Sequence, residues 1–389
     1  MKTRALVWLA LLIGIAAAWL GVWIYLPPPT YFLLTFAVGA PEVSHWTIVA
    51  ALLGVALAAS AMTTSRVARV AVALNALAIL MSVGVWVRVP SVLQRFDVAA
   101  RGHIAMPASA RRAKPIVVAD LFRGIHVGDA NVTRRIAVKN VDGQQLTADV
   151  YAPTQHGQFP IVVQIYGGSW QHGSPSDFSK FATWLAADGY VVVAIDYRHA
   201  PTYRWPAQID DVNDALRWVA AHGVEYGGDT SRVALIGRSA GAHLATYAAW
   251  ISAPIHLRSV ISLYGPVDLV TSYEHPPQPD PLGVRPVEES LIGGSLAAWP
   301  KQYADASTIT HLATLATKPP PSLLIYGGRD NIVEARYGQR IATALAATGA
   351  DVTYLEIPWA EHAFDAVFSG ASSQIALFYI ERFLAKTLS

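Results

Sequence analysis

The chain has 389 residues, of which 53% are hydrophobic and only 14% are charged. Soluble globular domains carry about 25% charged residues, so this composition argues against a wholly soluble protein and against long disordered tails. The net charge of +2 at pH 7 gives no indication of nucleic-acid binding. The sequence contains no cysteine, which excludes disulfides, thiolate metal sites and a cysteine nucleophile.

Basic residues are concentrated at the beginning of the chain. The first 114 residues carry ten Lys or Arg and two acidic residues, a net +8, whereas the remainder carries 19 basic and 25 acidic residues, a net −6. The long apolar runs lie in the same basic part. We therefore expect a membrane region over residues 1–95, a juxtamembrane linker over 96–130 and a separate folded domain over 131–389.

Three apolar runs are long enough to cross a bilayer as helices, which takes about 20 residues. They predict transmembrane helices at about 5–26, 46–64 and 70–88. A cleaved signal peptide is the alternative for the first run, but the run exceeds the usual 7–15 apolar residues and two more follow it. Residues 31–40 form a shorter apolar piece, which we interpret as interfacial or as a loop packed on the spans.

The distribution of basic residues predicts an orientation. A three-span topology places four basic residues on one side of the membrane, namely Lys2, Arg4, Arg66 and Arg69. The loop over 27–45, on the other side, contains no Lys or Arg. The positive-inside rule then places the N-terminus in the cytoplasm and the large domain on the extracytoplasmic side. Arg88, Arg95 and Arg101 oppose this orientation, although large domains translocate largely regardless of charge.

From about residue 131, short β-branched runs alternate with helical stretches. Two strands followed by alternating strands and helices predict an α/β fold with a mostly parallel sheet flanked by helices. Ligands bind such sheets at the carboxyl ends of the strands. The predicted strands are 134–139, 146–151, 161–166, 191–196, 233–237, 259–264, 322–326 and 352–357, and the predicted helices are 178–187, 210–222, 240–250, 334–347 and 373–386.

A G-x-S-x-G motif lies between one of these strands and a helix. Gly237-Arg238-Ser239-Ala240-Gly241 follows the apolar strand and precedes an Ala-rich helix. This context is typical of a nucleophile elbow, in which glycines let the backbone pack closely around a strained serine. A serine that only caps the helix is the alternative interpretation.

A serine nucleophile needs a base, and the base needs an acid to orient it. In elbow enzymes the three follow in the order Ser, acid, His. Asp330 lies just past the strand 322–326, and His362 follows the last strand. The sequence thus predicts a triad of Ser239, Asp330 and His362, with Glu334 and Asp268 as substitutes for the acid and a turn or helix-cap role as the alternative for Asp330.

Backbone N–H groups must also stabilise the oxyanion of such a reaction. The segment Tyr166-Gly167-Gly168-Ser169-Trp170 directly follows a predicted strand, and its glycines allow amides to turn inward. We expect the amides of Gly168, Ser169 and Ala240 to form the oxyanion hole. Residues 265–319, rich in Pro and Gly, form an insertion that we interpret either as a cap over the site or as a plain surface excursion.

These motifs resemble those of the hormone-sensitive-lipase-like and bacterial acetyl- or feruloyl-esterase-like carboxylesterases of the α/β-hydrolase superfamily. The resemblance covers about residues 130–389 and leaves out the membrane region. Tyr166 and Ser169 depart from the family, whose oxyanion motif usually begins with His and has Gly at the third glycine position. The matching segments are Tyr166–Trp170, Asp196–Pro201, Pro206–Asp211, Gly227–Asp229, Leu291–Ser295 and Tyr303–Ser307.

The resemblance implies an α/β-hydrolase fold, the triad and oxyanion donors named above, and hydrolysis of carboxylic esters without a cofactor or a metal. With the added membrane region, the expected partners are an ester substrate and the lipid bilayer, and no nucleic acid. An acyltransferase or a peptidase of the same fold is the alternative enzyme. A catalytically silent membrane-anchored binding or sensor domain is the alternative from another class. Acyl-chain preference and oligomeric state stay open.

Overall fold

The computed structural model describes residues 2–105, 111–252 and 254–389. Residues 106–110, which belong to the predicted linker, lie outside the described residues. The N-terminal part is all helical, and the C-terminal part is an eight-stranded sheet covered by helices.

Four helices form the N-terminal region: α1 (Lys2–Val22), α2 (Tyr31–Glu42), α3 (Ser44–Ala59) and α4 (Arg66–Ala99). Two of them, α1 and α4, are long and apolar enough to cross a membrane, and α2 and α3 together could form a third span broken by an 80° bend. The piece that we had interpreted as interfacial or as a loop is thus helical. Asn75 ties the bundle together, since its Nδ2 donates to the carbonyl of Ala10 at 2.9 Å.

The sheet has the order β1-β2-β4-β3-β5-β6-β7-β8. The pairs β1/β2 and β2/β4 are antiparallel and all the others are parallel. This mostly parallel sheet flanked by helices confirms the predicted fold class. The strands are β1 (Asn131–Val141), β2 (Gln144–Ala152), β3 (Phe159–Ile165), β4 (Val191–Ile195), β5 (Gly228–Arg238), β6 (Ser259–Leu263), β7 (Ser322–Gly327) and β8 (Val352–Ile357).

Helices cover both faces of the sheet, and their apolar residues form two large buried clusters. One cluster includes residues of α7, α8 and α13, and the other includes residues of α6 and α14. The helices are α5 (Val118–Arg123), α6 (Ser179–Ala187), α7 (Ala207–His222), α8 (Ala240–Tyr247), α9 (Leu269–Glu274), α10 (Val284–Ile292), α11 (Pro300–Ala306), α12 (Thr308–His311), α13 (Ala335–Ala347) and α14 (Ala371–Thr387).

Helix α4 joins the two parts of the chain. Its 34 residues make it about 51 Å long at 1.5 Å per residue, well beyond the roughly 30 Å of a bilayer core. It extends eleven residues past the predicted end at residue 88. This extension places Val92 and Phe96 in the same buried cluster as α14, and Tyr379 on α14 donates a hydrogen bond to Asp97 at 2.7 Å.

Further contacts fix α14 to the N-terminal region and to the segment before β1. The carboxylate of Glu42, at the end of α2, accepts a hydrogen bond at 2.8 Å from the backbone N–H of Ser372 in the first turn of α14. Arg112 is buried and donates to the side chain of Gln374 at 2.6 Å. The described part of the predicted linker is therefore packed against the domain that follows it.

Candidate active site

Ser239 lies at the tight turn between β5 and α8. Its backbone is strained, with φ of 52° and ψ of −123°. The two flanking glycines are required by close backbone contacts: a Cβ on Gly241 would lie 2.2 Å from the carbonyl oxygen of Tyr166, and one on Gly237 would lie 2.2 Å from that of Gly241. The sequence predicted this strand–turn–helix junction, and the structure has the geometry of a nucleophile elbow.

Ser239, His362 and Asp330 form a continuous hydrogen-bonded chain. Nε2 of His362 is 3.0 Å from the hydroxyl oxygen of Ser239, and Nδ1 of His362 is 2.8 Å from Oδ2 of Asp330. The Asp330 and His362 side chains are buried. This geometry fits the imidazole tautomer in which Nδ1–H donates to the carboxylate and Nε2 accepts the serine hydroxyl.

The two residues predicted as alternatives for the acid make hydrogen bonds to partners other than His362. Glu334 pairs with Arg336 at 2.5 Å, and Asp268 accepts the N–H of Thr271 at 2.9 Å, so that it caps α9. Asp330 combines both roles considered for it, because Oδ2 faces His362 while Oδ1 accepts the backbone N–H groups of residues 332 and 333 at 2.8 and 2.7 Å.

The segment Tyr166–Trp170, which we call the predicted oxyanion loop, lies directly against the elbow. A Cβ on Gly167 would be 2.7 Å from the carbonyl oxygen of Arg238, which shows how closely the two segments approach. Among the described residues, the N–H groups of Gly168, Ser169 and Ala240 find no hydrogen-bond acceptor. Ser169 and Ala240 line the same small cavity as Ser239, whereas Gly168 is outside its wall.

A buried ion pair involves Arg238, the residue that precedes Ser239 in the elbow. The guanidinium of Arg238 donates to Asp365 at 2.5 Å and packs against the ring of Phe178, 4.2 Å from its centroid. Asp365 also accepts the hydroxyl of Tyr264, whose ring meets the His362 imidazole edge-on at 4.6 Å. In the sequence, Arg238 appears only as a variable position of the G-x-S-x-G motif, and no pattern pointed to Asp365 or Tyr264.

Glu361 is a further buried polar residue near Ser239, His362 and Asp330, and no sequence motif singled it out. Glu361 accepts the backbone N–H groups of Asn331 at 2.6 Å and of His362 at 3.1 Å, so it joins the loops that carry the acid and the base. Burial and the neighbouring Asp330 carboxylate raise the pKa of Glu361 to about 7. The only sequence signal for this residue is its position next to His362.

His243 lies one helical turn after Ser239. Its Nδ1 accepts the indole N–H of Trp170 at 3.1 Å, and its Nε2 is 2.7 Å from the carbonyl oxygen of Ala306. Burial lowers the pKa of His243 to about 4. This neutral histidine therefore connects the oxyanion loop with the segment 265–319.

The cavity beside Ser239 is small, about 40 Å³. The segment 265–319 contributes part of its wall, including Val284, Val287 and Glu288 on α10, and Trp170 and Val333 add to the apolar lining. A larger cavity of about 480 Å³ lies between α6 and α14, but Ser239 is not in its wall. The small cavity is therefore the one that can hold a group attached to the serine.

Comparison with known proteins identifies the family. The BD-FAE family model matches residues 148–345, which is 198 of the 389 residues and contains both the oxyanion loop and the elbow. The chain belongs to the BD-FAE family. The resemblance to α/β-hydrolase carboxylesterases that the motifs indicated is thereby confirmed.

Two curated relatives of this BD-FAE chain come from Mycobacterium tuberculosis (strain ATCC 25618 / H37Rv). One is named probable carboxylic ester hydrolase LipM and is 32% identical over 243 residues, which cover 59% of this chain and 55% of LipM. Another is named esterase LipC and is 33% identical over 218 residues, 53% of each chain. The chain thus spans about half the length of the curated relatives it matches.

Solved structures support the fold of the BD-FAE chain. A thermostable esterase from Pseudomonas putida ECU1011 aligns with a TM-score of 0.58 at 23% identity, covering 68% of this chain and 85% of that one. A bacterial heroin esterase aligns with a TM-score of 0.55 at 23% identity, covering 67% and 84%. At this level of identity the comparison establishes the α/β-hydrolase fold alone.

Proposed function

We propose that this protein is a membrane-anchored serine hydrolase that cleaves carboxylic esters. The observation that carries the proposal is the hydrogen-bonded chain from Asp330 through His362 to Ser239, on an elbow beside three unpaired backbone N–H groups. The names of the matched relatives, which describe carboxylic ester hydrolases and esterases, support the same reaction. We assign no cofactor and no metal to it.

The reaction proceeds through an acyl-enzyme. His362 takes the proton of Ser239 as the hydroxyl oxygen attacks the ester carbonyl, and the amides of Gly168, Ser169 and Ala240 stabilise the resulting oxyanion. His362 then protonates the leaving alcohol. Water repeats the sequence on the acyl-enzyme, and the carboxylate of Asp330 holds the imidazole and stabilises its protonated form.

The size of the cavity favours short acyl groups. A volume of about 40 Å³ leaves room for more than a single water, but it is far below the roughly 300–1,000 Å³ of a pocket that binds a drug-sized ligand. We propose that the acyl chain beyond the carbonyl carbon occupies this space. In this assignment the segment 265–319 acts as a cap that closes one side of the acyl pocket.

We further propose that the chain is a multi-pass membrane protein with the N-terminus in the cytoplasm and the catalytic domain, residues 131–389, on the extracytoplasmic side. The basic residues before α1 and at the start of α4 support this orientation. Arg329, next to the triad acid, donates a hydrogen bond to the carbonyl oxygen of Tyr25 just after α1. The active site would then lie close to the membrane surface, where esters of lipids or acylated glycans occur.

The test is hydrolysis of p-nitrophenyl esters from acetate to palmitate by the full chain in detergent. We expect the highest kcat/KM on short chains, and a loss of at least about 10³-fold in kcat when Ser239→Ala is introduced. Ser231→Ala, which changes a serine near the N-terminal end of β5, is the matched control and should retain full activity. Full activity of the Ser239→Ala protein would refute the assignment.

A serine-directed fluorophosphonate separates the alternatives. Labelling at Ser239 together with hydrolysis supports the esterase. Labelling without hydrolysis of any ester would favour an acyltransferase that needs its acceptor. A folded protein that is not labelled would favour the silent binding domain.

A further inference from the structure

The proposed acyl pocket is the cavity beside Ser239, and one of its walls contains a carboxyl group. This group lies on α10 at a position where an amphipathic helix normally has an apolar residue. On α10, residues 284, 287, 288 and 291 lie on one face, as the spacing of an amphipathic helix requires. Three of them are Val or Leu, and the fourth is Glu288. Its side chain is only 3% exposed, which is rare for a glutamate without a charged partner.

The two oxygens of this carboxyl group differ in their surroundings. Oε1 accepts the hydroxyl of Ser272 on α9. Oε2 is buried and has no hydrogen-bond partner among the described residues. Buried polar atoms are nearly always paired, and an unpaired one is costly, so an exception next to a reaction centre calls for a partner that arrives with a ligand.

Glu288 is part of the wall of the cavity that also contains Ser239, Ser169 and Ala240. Burial raises the pKa of Glu288 well above its usual value, and the nearby carboxylates of Asp268 and Asp280 act in the same direction. Both effects favour the protonated, neutral form of the carboxyl group, which can donate a hydrogen bond. No cation needs to be bound with it.

We propose that the carboxyl group of Glu288 is a polar subsite that selects esters whose short acyl group carries an oxygen atom. Oε2 is not exposed to the empty cavity, so the side chain turns this atom towards that oxygen when the ester binds. The substrate class is esters of small hydroxy or alkoxy acids, with the oxygen one or two atoms beyond the carbonyl carbon. The carboxyl group would donate its hydrogen bond to that oxygen inside a mostly apolar pocket, whose wall also includes Asp268 and Ser272. This inference rests on the proposed esterase function.

The test compares two p-nitrophenyl esters of equal size, the methoxyacetate and the butyrate. The aromatic alcohol is the bulkier part of both esters, so we assign the acyl group to the cavity of about 40 Å³. The measured quantity is the ratio of kcat/KM for methoxyacetate to that for butyrate. Comparing this ratio between variants cancels the difference in intrinsic reactivity of the two esters.

Three variants of the full chain in detergent are informative. Glu288→Leu and Glu288→Met replace the carboxyl with apolar groups of similar size and should lower the ratio about tenfold or more, mainly through slower methoxyacetate hydrolysis. Glu288→Gln retains a donor and should keep most of the preference. Glu289→Gln is the matched control, because Glu289 bonds to Tyr273 at 2.5 Å outside the cavity wall, and it should leave the ratio unchanged.

Fluorophosphonate titration of each variant gives the fraction of folded, reactive enzyme. If Glu288→Leu and Glu288→Met keep the wild-type ratio, or lose activity on both esters in proportion, the polar subsite is refuted while the esterase stands. If the wild-type chain neither reacts with the probe nor hydrolyses any ester, the esterase function itself fails and the subsite with it. The two failures are therefore distinguishable.

Discussion

The two carboxylate oxygens of Asp330 have different hydrogen-bond partners. One oxygen orients His362, and the other is held by two backbone N–H groups, so the side chain is fixed. Asp330→Asn preserves the size of the group but presents an amide to Nδ1 of His362 and favours the wrong tautomer. We expect kcat for a p-nitrophenyl ester to fall on the order of 10³–10⁴-fold with a nearly unchanged apparent Tm.

The control for this prediction is Glu334→Gln. Glu334 was the other acid that the sequence offered near the end of β7, and its carboxylate pairs with Arg336 on the surface. The variant should keep at least half of the wild-type kcat. A large loss in Glu334→Gln together with little effect of Asp330→Asn would assign the acid to Glu334 instead.

His243 provides a second prediction, which concerns stability against pH. Its pKa falls from a usual value of 6.5 to about 4 because the neutral ring is buried between Trp170 and Ala306. Between these two pH values the unfolded chain binds the proton that the folded chain excludes, so stability is complete above pH 6.5 and falls as the pH drops towards 4. The lost contribution amounts to roughly 3 kcal/mol.

We therefore expect the apparent Tm of the full chain to decrease between pH 7 and pH 4.5, and to decrease less in His243→Gln. Gln keeps a donor for the carbonyl of Ala306 but does not titrate. His222→Gln, on the exposed end of α7, is the control and should follow the wild-type curve. Parallel curves for His243→Gln and the wild type would contradict the assignment.

At the scale of elements, the junction of β5 and α8 depends on two positions without a Cβ. Gly241→Ala would place a methyl group 2.2 Å from the carbonyl oxygen of Tyr166, which belongs to the backbone and cannot rotate away. We expect a destabilisation of about 3 kcal/mol or more, seen as a lower apparent Tm and weaker fluorophosphonate labelling.

Gly39→Ala in α2 is the matched control for this substitution, because no atom lies within 4 Å of the added Cβ. Alanine is also the better helix former, so this variant should be neutral or slightly stabilising. Unchanged Tm and labelling in Gly241→Ala would mean that the turn can open, and the elbow would not be as tight as described.

Elements that form a local pattern could be predicted from the sequence, and those that depend on the tertiary context could not. All eight strands were predicted, because runs such as Val191–Ile195 are apolar and β-branched. The last eleven residues of α4 were missed because Arg88, Pro90 and Asp97 interrupt the hydropathy there, while the burial of this part depends on packing against α14. The triad residues each stand in a recognisable motif, whereas Glu288 and His243 are conspicuous only once their burial is known.

At the scale of the whole molecule, the helical region and the sheet domain share a hydrophobic core. Phe96 on α4 packs against Tyr379 on α14 with 5.5 Å between ring centroids, and Glu42 on α2 accepts a hydrogen bond from the first turn of α14. Helix α14 follows the loop that carries His362, so the helical region contacts the element next to the proposed catalytic base.

A fragment that begins at Ala130 would lose these contacts and expose the apolar face of α14. We expect it to aggregate in the absence of detergent and to have an apparent Tm at least about 5 °C below that of the full chain. A fragment that begins at Gly84 retains the second half of α4 and should recover part of the difference. Differential scanning fluorimetry and size-exclusion chromatography measure both effects. A monomeric Ala130 fragment with the Tm and kcat of the full chain would show that the helical region anchors the domain without stabilising it.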